Sequence, residues 1–163
     1  MYRRLKQTLS VNYLIKAPAF KFILIFLFPS VLLGIITTFL PVPDMTGSLE
    51  TNSVILDLLI AILVAPLIET ILFQSLIIEI ICKIIKRPRK NIWISVIVSS
   101  AAFALSHTYS VSYIFITFLA GIILALAYYL GRYRKEGAII LVFVIHSGYN
   151  LLTSIYNLCL SGI

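Results

Sequence analysis

The sequence predicts an all-α protein, a polytopic bundle of about five transmembrane helices, and two features of its composition support this fold class. Hydrophobic residues make up 61% of the 163 residues, whereas soluble domains average nearer ~45–50%. Charged residues make up only 12%, about half of the usual ~25%. Because so little polar surface cannot keep a globule of this length in water, we expect a lipid bilayer around one membrane domain over residues 1–163.

Five apolar segments approach the ~20 residues that a transmembrane helix needs. The first ends before Pro41 and Pro43, and the second contains Pro66, where a long helix can tilt or break. The first run is longer than the ~7–15-residue core of a signal peptide, so we expect it to be retained. In order, the predicted spans cover residues 22–40, 54–82, 92–109, 111–130 and 138–160.

The basic residues occupy alternate ends of these spans. All 13 Lys and Arg residues precede the first span or lie in the loops between spans two and three and between spans four and five. The loop of residues 41–53 has none and carries Asp44 and Glu50. The positive-inside rule therefore predicts an inner N-terminus and an outer C-terminus. Because topology accounts for the net charge of +7, we expect no nucleic-acid partner.

Glu69 is the acidic residue that the predicted spans bury most deeply. It lies ~13 residues from the inner end of the second span, or ~20 Å at the helical rise. An ionised group there costs at least ~2.5–3.5 kcal/mol, and such residues usually face a partner or a cavity. Glu79, by contrast, lies near the inner end, where we expect pairing with Lys83 and snorkelling to the headgroups.

The chain has two histidines, and both fall within predicted spans. His107 lies toward the outer end of the third span. His146 lies in the fifth, with Asn150 four residues later on the same helix face. Since unpaired polar groups cost several kcal/mol in hydrocarbon, we predict that all three gather with Glu69 around one wet cavity. The alternative is that each is an independent packing residue.

These side chains have the chemistry needed for hydrolysis of an amide bond. A carboxylate and an imidazole about one water apart can activate that water as a nucleophile. A second imidazole and an amide can donate hydrogen bonds to a developing oxyanion. Glu69, His107 and His146 also form a candidate zinc-binding set with an open fourth position, although no compact ligand motif such as HExxH is present.

Three short motifs resemble those of the CPBP family, which comprises CAAX prenyl proteases and bacteriocin-processing (Abi) proteins. Residues 65–74 (APLIETILFQ) are similar to the family's first motif, EExxxR after Ala-Pro. Residues 103–107 (FALSH), which begin at Phe103, look like its second motif, FxxxH. Residues 146–150 (HSGYN) look like its third, HxxxN. The resemblance covers residues 60–155, interpreted as the catalytic core, which the basic segment, first span and outer loop of residues 1–53 precede.

The resemblance implies an intramembrane endopeptidase that acts on a membrane-associated peptide or protein. By position, Glu69 and His107 would activate water, while His146 and Asn150 would form the oxyanion site. Family members have been described both as metalloproteases and as metal-free, glutamate-dependent enzymes, so the resemblance leaves the zinc question open. The chain departs from the first motif at two supporting positions that normally hold an ion pair. Thr70 replaces the second Glu and Gln74 replaces the Arg, a neutral pair that can still hydrogen-bond.

Two other functions fit the same residues. One is a catalytically inactive immunity or scaffold protein of the same fold, an alternative that the absence of the second motif acid and the Arg leaves open, although losing both charges together leaves no unpaired charge in the membrane. The other is a small proton- or metal-coupled transporter, since intramembrane Glu and His residues also mark proton paths. Transporters usually contain internal repeats, and this sequence shows none. The short loops suggest a bacterial plasma membrane.

Overall fold

The structure, a computed structural model, describes residues 9–38 and 53–161, and helices account for nearly all of them. The predicted stop at Pro41 and Pro43, and the outer loop with Asp44 and Glu50, lie outside the described residues, as do the first basic residues of the chain. Six helices follow one another in the described part. They are α1 (Leu9–Lys16), α2 (Ala19–Thr37), α3 (Val54–Ile84), α4 (Pro88–Leu105), α5 (Val111–Gly131) and α6 (Ala138–Ser161).

The all-α polytopic bundle is confirmed, and one of its predicted spans is shorter than the others. Four helices of the described residues, α2, α3, α5 and α6, are long and apolar enough to cross a membrane. The predicted third span of residues 92–109 is shorter, because α4 ends at Leu105 and its apolar stretch covers only Lys90–Leu105. A tight link follows, and Ser110 caps α5 by accepting a hydrogen bond from the Tyr113 N–H at 3.1 Å.

Helix α3 is continuous but irregular around Pro66. Two π-helical segments, Ile60–Val64 and Thr70–Leu76, flank the short α-helical stretch Ala65–Glu69. The break predicted at Pro66 therefore takes the form of two widened turns within one helix. Such π-bulges are rare and often lie at functional sites.

Close packing of α4 on α5 depends on small residues. A Cβ added to Gly121 would lie 3.0 Å from the Ser100 Cα, which is backbone and cannot move aside easily. Bulky side chains complete the core, in which Tyr129 of α5 and Ile145 of α6 are fully buried. Large apolar side chains such as Phe28 and Ile55 are more than 70% exposed on the outside, as expected of a surface that faces lipid.

Contacts at one end of the bundle agree with the predicted distribution of charge. The Arg134 guanidinium, in the α5–α6 loop, donates to the carbonyl oxygens of Ile15 at 3.0 Å and Ala17 at 2.7 Å. The segment before the first span and this loop therefore share one end of the bundle, as the positive-inside rule requires of them.

Glu79 pairs with Arg132, so the predicted pairing with Lys83 is wrong. Its two carboxylate oxygens accept hydrogen bonds from the Arg132 Nε at 2.7 Å and Nη2 at 3.1 Å. The pairing with Lys83 was expected because the two residues are four positions apart on one helix. The planar guanidinium of Arg132, directly after α5, instead matches both oxygens at once, a geometry that lysine cannot offer.

Candidate active site

Three helices bring the four predicted site residues together. Glu69 ends the α-helical stretch between the two π segments of α3. His107 lies two residues beyond the end of α4, and His146 and Asn150 lie one turn apart on α6. All four line one cavity of about 160 Å³, which is roomy enough for several water molecules.

The Glu69 carboxylate lies between the two imidazoles. Its Oε1 is 3.9 Å from the His107 Nε2, and its Oε2 is 3.6 Å from the His146 Nε2. These distances are slightly longer than direct hydrogen bonds. The side chains of Glu69 and His107 are 24% and 18% exposed, whereas that of His146 is 8% exposed, so the two potential water activators are the more accessible pair.

The end of α4 determines which His107 nitrogen faces Glu69. The His107 Nδ1 lies 2.7 Å from the Phe103 carbonyl oxygen, which the Ser106 hydroxyl also contacts at 2.7 Å. Because a carbonyl only accepts, the Nδ1 must carry the hydrogen and donate it. In the neutral imidazole the Nε2 then has a free lone pair, directed to Glu69, which can accept a proton from water.

The Phe103 ring packs between the two histidines. Its centroid lies 4.6 Å from that of His107 and 5.9 Å from that of His146. Phe103 is almost completely buried, so its ring restricts both imidazoles while its carbonyl orients one of them. The structure thus gives this supporting residue two physical roles.

The cavity also contains residues that sequence reasoning missed. Tyr113 and Tyr149 line it, and so do Ser30 and Leu33 of α2. Tyr149 had a usable signal, because it lies inside the HSGYN motif, three residues after His146. Ser30 had none, since α2 precedes the predicted core and only packing against α5 and α6 brings it to the cavity.

Thr70 and Gln74, the two positions that depart from the family motif, are fully buried beside the site. The Thr70 hydroxyl and both polar atoms of the Gln74 amide have no hydrogen-bond partner within the described part of the chain. The hydrogen bond expected between them is therefore not made. Burying such groups unpaired costs roughly 1–3 kcal/mol each.

Asn150 makes a backbone contact across the site. Its Nδ2 donates to the Ala61 carbonyl oxygen at 2.8 Å. Since a carbonyl only accepts, this contact also identifies the amide nitrogen of Asn150. One face of the Asn150 side chain thus holds the first π segment of α3, while the residue also lines the cavity.

The candidate metal ligands form no compact cluster within the described residues. Over residues 9–38 and 53–161, no group of three or more His, Cys, Asp or Glu side chains is spaced to hold a metal ion. The candidate zinc set of Glu69, His107 and His146 therefore stays a prediction. The site consists of the Glu69 carboxylate with one imidazole near each of its oxygens. The His107 Nε2, which has a free lone pair, lies near Oε1, and the His146 Nε2 lies near Oε2.

Comparison with known proteins adds one finding. A family model described as Type II CAAX prenyl endopeptidase Rce1-like matches residues 51–152. This range contains all three sequence motifs and the four site residues predicted from them. No curated protein and no solved structure is similar enough to the chain to count as a match.

Proposed function

Because the chain belongs to the Rce1-like family of type II CAAX prenyl endopeptidases, we propose that it is an intramembrane endopeptidase that hydrolyses a membrane-associated peptide. The observation that carries the proposal is the position of the Glu69 carboxylate, within 4 Å of the Nε2 atoms of both His107 and His146. We place the catalytic core at residues 60–155 and the protein in a bacterial plasma membrane.

The proposed reaction begins with a water held between Glu69 and His107. Glu69 takes a proton from this water, and the oxygen attacks the carbonyl carbon of the scissile amide. The carbonyl oxygen becomes an oxyanion, which accepts a hydrogen bond from His146 in its Nε2–H form, with Asn150 beside it. Glu69 then gives its proton to the amide nitrogen, and the carbon–nitrogen bond breaks to leave a carboxylic acid and an amine, which exchange a proton to become a carboxylate and an ammonium group.

Substitution of Glu69 by Gln tests this mechanism. Glutamine keeps the shape of the side chain but cannot take a proton, so cleavage of membrane-anchored fluorogenic peptides in liposomes should fall at least ~10²–10⁴-fold. Asp57→Asn is the matched control, because it neutralises another carboxylate of α3 far from the cavity, and it should leave cleavage unchanged. Equal cleavage by wild type and Glu69→Gln would contradict the mechanism.

The inactive alternative makes a different prediction for the same assay. Thr70 and Gln74 leave the site without the charged pair of the family motif, which favours an immunity or scaffold protein. Such a protein would cleave none of the membrane-anchored fluorogenic peptides. In it, Glu69→Gln would alter neither expression nor melting temperature.

A further inference from the structure

The first π segment of α3 leaves one backbone carbonyl without its regular partner. The Ala65 N–H bonds to the Ile60 carbonyl, five residues back, instead of four as in an α-helix. The next bond in this register would join the N–H of residue 66 to the Ala61 carbonyl. Residue 66 is a proline, which has no N–H, so the Ala61 oxygen must find a donor elsewhere.

Asn150 supplies that donor. Its Nδ2 lies 2.8 Å from the Ala61 oxygen, a good hydrogen-bond distance. The bond is part-buried, and Pro66, which follows one turn later, is fully buried. An unsatisfied buried carbonyl is costly, which makes the contact a requirement of this backbone geometry.

The same face of α6 contacts α3 on both sides of Pro66. Asn150 contacts Ala61 before it, and His146 contacts Glu69 after it. A π turn holds one residue more than an α turn. A return to α-helical register would therefore rotate Glu69 by ~100° relative to the outer part of the helix. The widened turn thus determines whether Glu69 points at the histidines.

We propose that Asn150 is a positioning residue whose amide replaces the N–H that Pro66 lacks, and so maintains the widened turn that directs Glu69 into the cavity. This role is separate from a hydrogen bond to the oxyanion, which needs no contact with Ala61. The inference rests on the proposed function only in that Glu69 is the residue being positioned.

The test measures where residue 69 points without requiring cleavage. In a Glu69→Cys variant of the full chain in liposomes, alkylation of the new thiol by a small maleimide reports its access to the wet cavity. Peptide mass spectrometry separates this site from Cys82 and Cys159, which are also free thiols. We expect Asn150→Ala to slow alkylation at position 69 by about tenfold, the effect of losing one such hydrogen bond.

A second substitution gives the inference its specificity. With Pro66→Ala, residue 66 regains an N–H that can bond to the Ala61 carbonyl. Asn150→Ala should then change the alkylation rate by less than about threefold. Asn157→Ala, an exposed asparagine on the same helix, is the control and should have no effect in either background. The inference would be overturned if Asn150→Ala left the alkylation rate at position 69 unchanged. It would also be overturned if Asn150→Ala slowed alkylation as much with Pro66→Ala as without it.

The cleavage assay provides the functional readout. In the chain with Glu69, Asn150→Ala should lower kcat about tenfold with little change in KM, and Pro66→Ala should recover part of that loss. An equal loss in both backgrounds would assign Asn150 to the oxyanion alone and overturn the positioning role. Absence of cleavage in wild type would refute the proposed function, and the alkylation rates would still decide the inference.

Discussion

The Phe103 carbonyl shows how single atoms prepare this site. At the end of α4 it accepts a hydrogen bond from the Ser106 hydroxyl, and it fixes the His107 tautomer by accepting one from the Nδ1. The FxxxH motif names the residues, but the functional atom of the phenylalanine here belongs to the backbone. The hydrogen bond depends on the helix ending two residues before His107, which the apolar pattern of residues 92–109 does not reveal.

At the residue scale, the buried Thr70 and Gln74 make a prediction about charge. Thr70→Glu alone or Gln74→Arg alone places an unpaired charge at a fully buried position, which should lower the free energy of unfolding by ~3–5 kcal/mol. The double variant restores the charge pair of the family motif. Its free energy of unfolding should therefore fall by clearly less than the sum of the two single decreases. Thermal unfolding in detergent measures all three proteins.

Thr70→Val is the matched control for that experiment. It removes a hydroxyl that has no partner within the described residues and keeps nearly the same shape, so stability should be unchanged or higher. A double variant no more stable than the additive sum would contradict the expected pairing of positions 70 and 74.

At the scale of elements, the close packing of α4 on α5 constrains the site. Gly121 lies against the Ser100 backbone, and its absent Cβ would also come within 3.2 Å of the Phe103 ring. Phe103 in turn packs on both histidines. The spacing of small residues along a helix predicts close approach of helices, but only the packed bundle shows that this approach bears on the site.

Gly121→Ala should therefore affect both stability and activity. The added methyl group must separate α4 from α5, so we expect the free energy of unfolding to fall by ~1–3 kcal/mol. Peptide cleavage should decrease as Phe103 moves. Gly148→Ala is the control, because the nearest atoms to its Cβ would be 3.7 Å away, in ordinary contact with the Leu27 side chain. Equal effects of the two substitutions on melting temperature would contradict the proposed constraint.

At the scale of the whole molecule, Arg134 joins the N-terminal segment to the rest of the bundle. Its side chain is 2% exposed, and its guanidinium contacts the carbonyls at the end of α1 and lies 4.7 Å from the centroid of the Phe22 ring. These carbonyls have no partners within their own helix. A basic loop residue that seemed to serve topology alone thus also caps a helix far away in sequence.

Arg134→Gln should release α1 from the bundle. The unpaired carbonyls should lower the free energy of unfolding by ~1–3 kcal/mol, and backbone amides of residues 9–16 should exchange hydrogen faster. Lys135→Gln, which removes the exposed neighbouring charge, should change neither quantity. Unchanged exchange in the Arg134 variant would show that α1 is held by other contacts.

The sequence by itself was sufficient to predict a lipid environment and to single out the four polar residues that line the cavity. Apolar runs and grouped basic residues are sufficient for a membrane bundle, because the bilayer and the positive-inside rule act on local composition. Isolated polar residues in such runs are costly enough to mark Glu69, His107, His146 and Asn150. The matched family range of residues 51–152 contains all three motifs.

Only the tertiary structure decided how these residues face one another. The Glu79–Arg132 pair, the cap that Arg134 forms and the bond from Asn150 to Ala61 each join residues more than 50 positions apart in sequence. Such contacts arise when helices pack and satisfy one another's unpaired polar groups, a condition that no local pattern records. The widened turns of α3 are of this kind, because Pro66 removes a donor within the helix and a different helix supplies the replacement.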